Sequence, residues 1–213
     1  NTSEEAYFRA GDPIWVDVNG DYVIDEKDRV IVGNSRPRVT GGFSLNLRYK
    51  AFSINTNCSF TLRRDIINKA LADRFRAYGT PVAGKVNLTG SGALTPIEAY
   101  NFWTEDNIYA QYPNPFDYTR SSIIQPFRYD QTLFMEDGSY FKINGISVAY
   151  TIPKKMLDFF RISRCQLNFS MNNIYTFSKY SGINPENVNN LGYDTSGGYP
   201  NGRTVTFGVS MDF

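Results

Sequence analysis

Near the start of the chain, Asp17-Val-Asn19-Gly-Asp21-Tyr22-Val23-Ile24-Asp25-Glu-Lys-Asp28 places oxygen-bearing groups at alternating positions. Calcium loops draw their ligands from positions 1, 3, 5, 7, 9 and 12, the seventh through a backbone carbonyl. Here those positions are Asp17, Asn19, Asp21, Val23, Asp25 and Asp28, with Ile24 as the apolar anchor at position 8. Hard oxygens at this spacing wrap one hard cation, so a structural Ca2+ is the chemistry expected of the segment. Two features weaken the match. Tyr22 stands at position 6, where glycine is expected for a left-handed turn. Asp28 stands at position 12, where the longer glutamate usually binds through both oxygens. The plainer reading of the same residues is a polar turn with solvated carboxylates. Bound calcium would stiffen a loop; catalysis would need an open coordination position and a base, and the sequence identifies neither.

A second group is aromatic. Trp103, Tyr109, Tyr112, Phe116 and Tyr118 lie close to Asp106, Asn107 and Asn114, and Tyr180, Tyr193 and Tyr199 lie close to Asn184, Asn187 and Asn189. A flat ring can cover the apolar face of a sugar while amides and carboxylates bond its hydroxyls. The plainer reading of the same residues is packing within the loops or contact with a partner protein. Glu105 and Asp106 are adjacent carboxylates, but a glycosidase needs two set apart across the scissile bond. The chain contains no histidine. Ser-His-Asp and Cys-His arrangements are therefore excluded, and the chain is read as a non-enzyme.

The 22 basic and 21 acidic side chains nearly cancel, and no basic stripe is interleaved with aromatics, so a nucleic-acid partner is not expected. No apolar run approaches the ~18 residues of a spanning helix, so any crossing of a membrane must be made by strands. The opening NTSEEAYFRAGDP has neither the basic start nor the apolar stretch of a leader. That reads as a cytosolic protein or as a mature or truncated chain. Cys58 and Cys165 both fall on apolar rows and read as small hydrophobes.

The elements that must carry these residues are strands. The last ten residues, TVTFGVSMDF, set Val205, Phe207, Val209, Met211 and Phe213 on one face against Thr204, Thr206, Gly208, Ser210 and Asp212. Segments 39–49, 52–62, 140–152 and 164–177 alternate in the same way. Only Lys50 and Ala51 separate the first two, which predicts a tight hairpin. In 140–152 the phase slips by one near Gly145, and a β-bulge there would restore a common apolar face. The polar faces are Asn, Ser, Thr, Gln and Arg, uncharged for the most part and milder than the Lys and Glu that wet a soluble sheet. Connections alternate between long and short: 178–202 long, 153–163 short, 63–139 very long, 50–51 two residues, and 1–38 long before them. Outer-membrane barrels alternate short periplasmic turns with longer outer loops. Within 63–139, Ile66, Ile67, Ala70, Leu71 and Phe75 recur at near-helical spacing and predict a short surface helix.

Five stretches, in order, resemble the C-terminal part of SusC/RagA-type TonB-dependent outer-membrane transporters. They are VDVNGDYVIDEKDRVIVGN at 16–34, FWTEDN at 102–107, SYFKINGISVAYTIP at 139–153, NNIYTFSKYSGINPE at 172–186 and YPNGRTVTFGVSMDF at 199–213. The resemblance implies an all-β fold: antiparallel strands of a transmembrane barrel, about five C-terminal strands of a larger plugged barrel of about 22. Residues 1–38 would form an extracellular loop carrying the calcium-like motif, and 39–213 the C-terminal barrel segment with long outer loops 63–139 and 178–202. Implied too are import of a glycan, oligosaccharide or peptide and a place in a Bacteroidetes-type outer membrane. The implied partners are a SusD-like surface lipoprotein acting as lid, the TonB complex, outer-membrane lipid, and the rest of the barrel with its plug. Trp103, Tyr109, Tyr112, Tyr180 and Tyr193 would then touch substrate or lid. A barrel of five strands cannot close, so the chain reads as a fragment that does not transport alone. The alternative from another class is a secreted calcium-binding β-sandwich that binds carbohydrate.

Overall fold

A computed structural model describes residues 8–78, 99–115, 124–160, 162–194 and 201–213. Among the described residues seven strands and two short helices follow in order: β1 (Val39–Tyr49), β2 (Phe52–Leu62), β3 (Asp65–Ile67), α1 (Lys69–Tyr78), β4 (Met135–Asp137), β5 (Tyr140–Thr151), α2 (Lys154–Leu157), β6 (Arg164–Ser178) and β7 (Thr204–Asp212). The chain divides into two compact units. One holds residues 1–33, 66–136 and 187–197; the other holds 34–65, 137–186 and 198–213. β3 pairs with β4 in a small two-stranded sheet.

The second unit is the strand unit, a single sheet in the order β1-β2-β5-β6-β7 with every pair antiparallel. Chain order and sheet order coincide, as in an up-and-down meander. β1 and β2 end where alternation ends, and the connection between them is Lys50 and Ala51, with Lys50 at φ 51. The expected irregularity is present: the register shifts between Ile143 and Gly145 on β5, and between Asn57 and Cys58 on β2. Gly145 lets the strands approach closely there: a Cβ would stand 2.9 Å from Asn172 Oδ1, whose side chain would have to shift. Across the shift, Ile143, facing Tyr175, and Ile146, facing Met171, return to one face.

Registration of the five strands builds two continuous faces. Phe43, Cys58, Ile143 and Tyr175 lie in one cross-strand row, and Ile54, Val148, Phe169 and Phe207 in another. Rings gather toward both margins of this apolar face. Phe52 and Tyr150 are 4.5 Å apart at one margin; Phe43, Phe141 and Phe177 are linked at about 6.2 Å toward the other. The opposite face is an amide and hydroxyl layer. Ser44 donates to Asn57 (2.8 Å), Asn55 to Asn46, Gln166 to Asn168 (2.9 Å) and Asn144 to Ser59 (3.0 Å). Both faces are needed to read the sheet. A sandwich would lay a second sheet on the apolar rows, yet Phe43, Leu45, Leu47, Val205, Phe207 and Val209 are exposed.

The first unit, the loop unit, has its own core. Leu71, Ala72 and Phe75 of α1 pack with Phe102, Phe127 and Phe134. Helix α1 is capped by Asn68, whose Oδ1 accepts from the Leu71 amide (3.0 Å). The expected helix is therefore present but begins later than the spacing suggests. Ile66 and Ile67 belong to β3, and the Asn68 cap sets the start.

Candidate functional site

Phe75 is the hub of the loop unit. It is fully buried, and the rings of Tyr100, Phe102, Tyr112, Phe127 and Phe134 surround it at 4.8 to 6.0 Å, mostly edge to face. Edge-to-face geometry sets the positive ring edge against a negative ring face. The apolar side of α1 thus organises chain from three distant parts of the 63–139 segment. Asn68 reinforces it, its Nδ2 donating to Glu136 (2.9 Å). Tyr112 lies in this cluster. Burial pushes its phenol pKa up, helped by the charge of Glu136.

Beside the cluster is a recess of 580 Å³, lined in part by Phe8, Trp15, Trp103, Ile108, Tyr112 and Gln131. Trp103 is held by its own amide, which donates to Tyr112 O (2.8 Å). Gly11, at φ 90, lies so close to the Trp103 ring that a Cβ would stand 2.7 Å from it. Trp15 donates from Nε1 to Gln131 Oε1 (3.0 Å) and carries the Arg128 guanidinium 5.0 Å from its ring centre. Trp15 and Gln131 are recess residues that the sequence reading passed over. The only local signal was a tryptophan just after Pro13.

The expected contact residues do not gather in one place. Trp103 and Tyr112 share the recess. Tyr109, 91% exposed, is the most open of the five. Tyr193 packs edge-on against Tyr129 at 5.4 Å, and its amide donates to Asn189 Oδ1 (2.9 Å). Tyr180 is in the strand unit, buried, with its ring over Gly182. Asn184 and Asn189 spend their side-chain oxygens on backbone amides of their own turns. Phe116, Tyr118 and Tyr199 lie outside the described residues. Glu105 and Asp106 sit exposed in the tight turn from Thr104 to Asn107.

The segment from Asp17 to Asp28 folds as a chain of side-chain-to-backbone turns. Asp17 accepts from the amides of Gly20 (2.7 Å) and Tyr22 (2.8 Å), Asn19 from Asp21 (2.9 Å), and Asp21 from Val23 (2.9 Å). Asp28 accepts from the amides of Val18 and Asp25, both at 2.8 Å, which close the loop. These backbone bonds, that from Asp25 foremost, lower the carboxyl pKa of Asp28. Tyr22 takes φ 63, the left-handed conformation that glycine would supply at position 6. The turn thus keeps the backbone shape the motif demands with a residue ill-suited to it. The Lys27 ammonium lies 3.6 Å from Asp21 and 3.7 Å from Asp25. Each carboxylate oxygen that accepts one amide keeps a second lone pair. Among the described residues no three Asp, Glu, His or Cys side chains converge as a metal-binding group.

On the polar face of the strand unit, Lys142 of β5 is 9% exposed and pairs with Glu186. Glu186 is oriented by its own amide bond to Asn184 (2.9 Å). The pair ties the segment after β6 back to the sheet.

The sheet's chemistry is one of partition rather than reaction: apolar rows on one side, mostly neutral hydrogen-bonding groups with a few charges on the other. No helix among the described residues is long and apolar enough to cross a membrane. No protein-family model matches the chain. It is 30% identical over 213 residues to TonB-dependent receptor P3 of Formosa agariphila, covering 95% of this chain and 19% of that protein. It is 23% identical over 214 residues to TonB-dependent receptor SusC of Bacteroides thetaiotaomicron, covering 99% of this chain and 19% of that protein. Among solved structures it resembles the RagAB peptide importer in its "closed-closed" state. That likeness has a TM-score of 0.62 at 22% identity, over 86% of this chain and 18% of that one. The chain therefore spans about a fifth of the length of the curated relatives it matches.

Proposed function

From the premise that the chain belongs to the SusC/RagA type of TonB-dependent outer-membrane receptors, we propose that it supplies barrel wall and outer loops to a nutrient importer. The observation that carries this reading is the registered sheet. One face of exposed apolar side chains suits lipid, and the other, polar and mostly uncharged, suits a watery lumen. Five strands are too few to enclose a lumen, so the chain works as part of a longer barrel with a plug. TonB acts through that longer protein.

The cargo is a glycan or a peptide, taken up with a surface lipoprotein of the SusD or RagB kind. The amide-rich face supports it, since Asn, Ser and Gln bond sugar hydroxyls and peptide groups alike. So does the relation to a receptor named SusC and to a peptide importer. Trp103 and Tyr109 of the loop unit are the residues assigned to substrate or lid. The test is uptake by cells lacking the full-length gene. Loss of growth on one glycan or peptide source, restored by the gene and accompanied by co-purification of a lipoprotein, is the expected result. Normal growth on every such source would overturn it.

The 17–28 loop is assigned a structural Ca2+, held by Asp17, Asn19, Asp21, Val23, Asp25 and Asp28. Support comes from the left-handed Tyr22, which preserves the loop shape, and from the spacing of the oxygen-bearing residues. Terbium luminescence sensitised by Tyr22 and displaced by Ca2+ is expected of the full-length protein. Absence of calcium-displaceable signal would refute the assignment.

A further inference from the structure

The end of the sheet that carries the two-residue hairpin and α2 bears an apolar and basic surface that the barrel wall alone does not need. Short turns of such barrels face the periplasm, so this end meets the inner leaflet. Tyr49, Phe52 and Tyr150 form the ring margin here, and the Lys50 ammonium stands 5.2 Å over the Tyr49 ring. Beyond that margin the chain does not turn sharply back into β6. It makes one turn of α2 and a 3-10 turn, Asp158–Phe160, before re-entering the sheet. Leu157 is buried and anchors the turn. Backbone bonds fix both of its ends: Ile152 donates to Cys165 O (2.9 Å) and Ser163 to Asp212 O (2.7 Å).

What this anchored turn presents is unusual for a periplasmic connection. Met156 is 64% exposed and Phe159 88% exposed, three residues apart and so on one side of the helical turn. Lys154 and Lys155 precede them and are exposed too. Asp158 and Asp212 are the acidic groups at this end. In water two large apolar groups would be wasted on such a turn. At the edge of a bilayer such groups meet acyl chains, with the lysines at headgroup height.

We propose that residues 154–160 form an interfacial foot that inserts Met156 and Phe159 into the periplasmic leaflet, with Lys154 and Lys155 holding anionic phospholipid headgroups. The occupant is phospholipid because short turns meet the periplasmic leaflet and because the paired Lys154 and Lys155 complement an anionic headgroup. The inference depends on membrane placement and not on which nutrient is carried.

The test uses the full-length transporter in vesicles of phosphatidylethanolamine containing phosphatidylglycerol. Phe159 is replaced by the photo-crosslinker p-benzoylphenylalanine, the sample is illuminated, and adducts are identified by mass. Phospholipid adducts at this position are expected. Adducts to the plug or another protein, or no adduct, would overturn the proposal. In the same vesicles the Lys154→Gln/Lys155→Gln variant should cut the share of phosphatidylglycerol among the adducts, by up to about fivefold for each lysine. An unchanged share would refute the anionic-headgroup assignment. Heat-modifiable migration of the barrel shows that each variant is folded.

Discussion

Phe75→Ala is the sharpest test of the loop unit. The side chain is fully buried and touches five rings at 4.8 to 6.0 Å. Truncating a buried phenylalanine costs about 3–5 kcal/mol, and lost ring pairs place this site toward the upper end. The cost falls on local opening of the loop unit, because the five-stranded sheet has separate stabilisation. Proteolysis then tracks the open fraction. About 3 kcal/mol raises that fraction more than ~100-fold. Limited trypsin digestion of the full-length transporter, scored at Lys69, Arg74 and Arg76 of α1, reads the change directly. Phe75→Leu keeps most of the volume and should cost about 1–1.5 kcal/mol, a tenfold effect or so. The barrel's heat-modifiable migration should not change in either variant. Wild-type cleavage rates in Phe75→Ala, with the barrel intact, would refute Phe75 as the hub.

Three further perturbations follow from named contacts. Asn68→Ala removes the α1 cap and the partner of Glu136, so hydrogen exchange over α1 should reveal a loss of about 2 kcal/mol, with Asn68→Ser recovering the cap share. Lys142→Met leaves Glu186 without its cation and should loosen residues 178–186 by about 2–3 kcal/mol in the same measurement, while Lys142→Met/Glu186→Leu recovers most of it. Asp28 has its pKa lowered by the amides of Asp25 and Val18, so its contribution is present above the ordinary value of 3.8 and lost as pH falls through the lowered one. Exchange of the Val18 and Asp25 amides, corrected for intrinsic rates, should therefore hold steady from pH 7 to about 4 and rise only below that.

Period-two alternation made the strand unit legible from sequence. β1 and β2 have the limits their alternation sets, and the slip of phase at Gly145 announced the register shift. A second irregularity stayed hidden. On β6, Asn172 faces Gly145 but Tyr175 faces Ile143, and Asn173 takes φ 55. Apolar residues resume at Tyr175 in unbroken parity, so the sequence carries no mark of it. Nor was β3 legible. Ile66 and Ile67 fit a helical stripe, but pairing with Met135–Asp137 draws them into a strand, and a partner so distant in sequence leaves no local signal. For the candidate site, the oxygen spacing of Asp17 to Asp28 and the aromatic content of the loops were visible. Which rings are structural was not. Tyr112 and Tyr193 look like Tyr109 in sequence, and only packing around Phe75 and Tyr129 distinguishes them.

The central claim is that adjacent residues of one strand face lipid and lumen. It is tested most directly by nitroxide labels at Val148 and Ser147 of β5 in the full-length transporter, reconstituted in a bilayer. Val148 shares a row with Ile54 and Phe169, and Ser147 shares one with Asn55 and Ser170. The account predicts that the label at 148 is relaxed by oxygen, which concentrates in lipid, and hardly by a water-soluble nickel chelate. The label at 147 should show little response to oxygen. Equal oxygen response at the two positions, or strong nickel relaxation at 148, would contradict a lipid-facing wall.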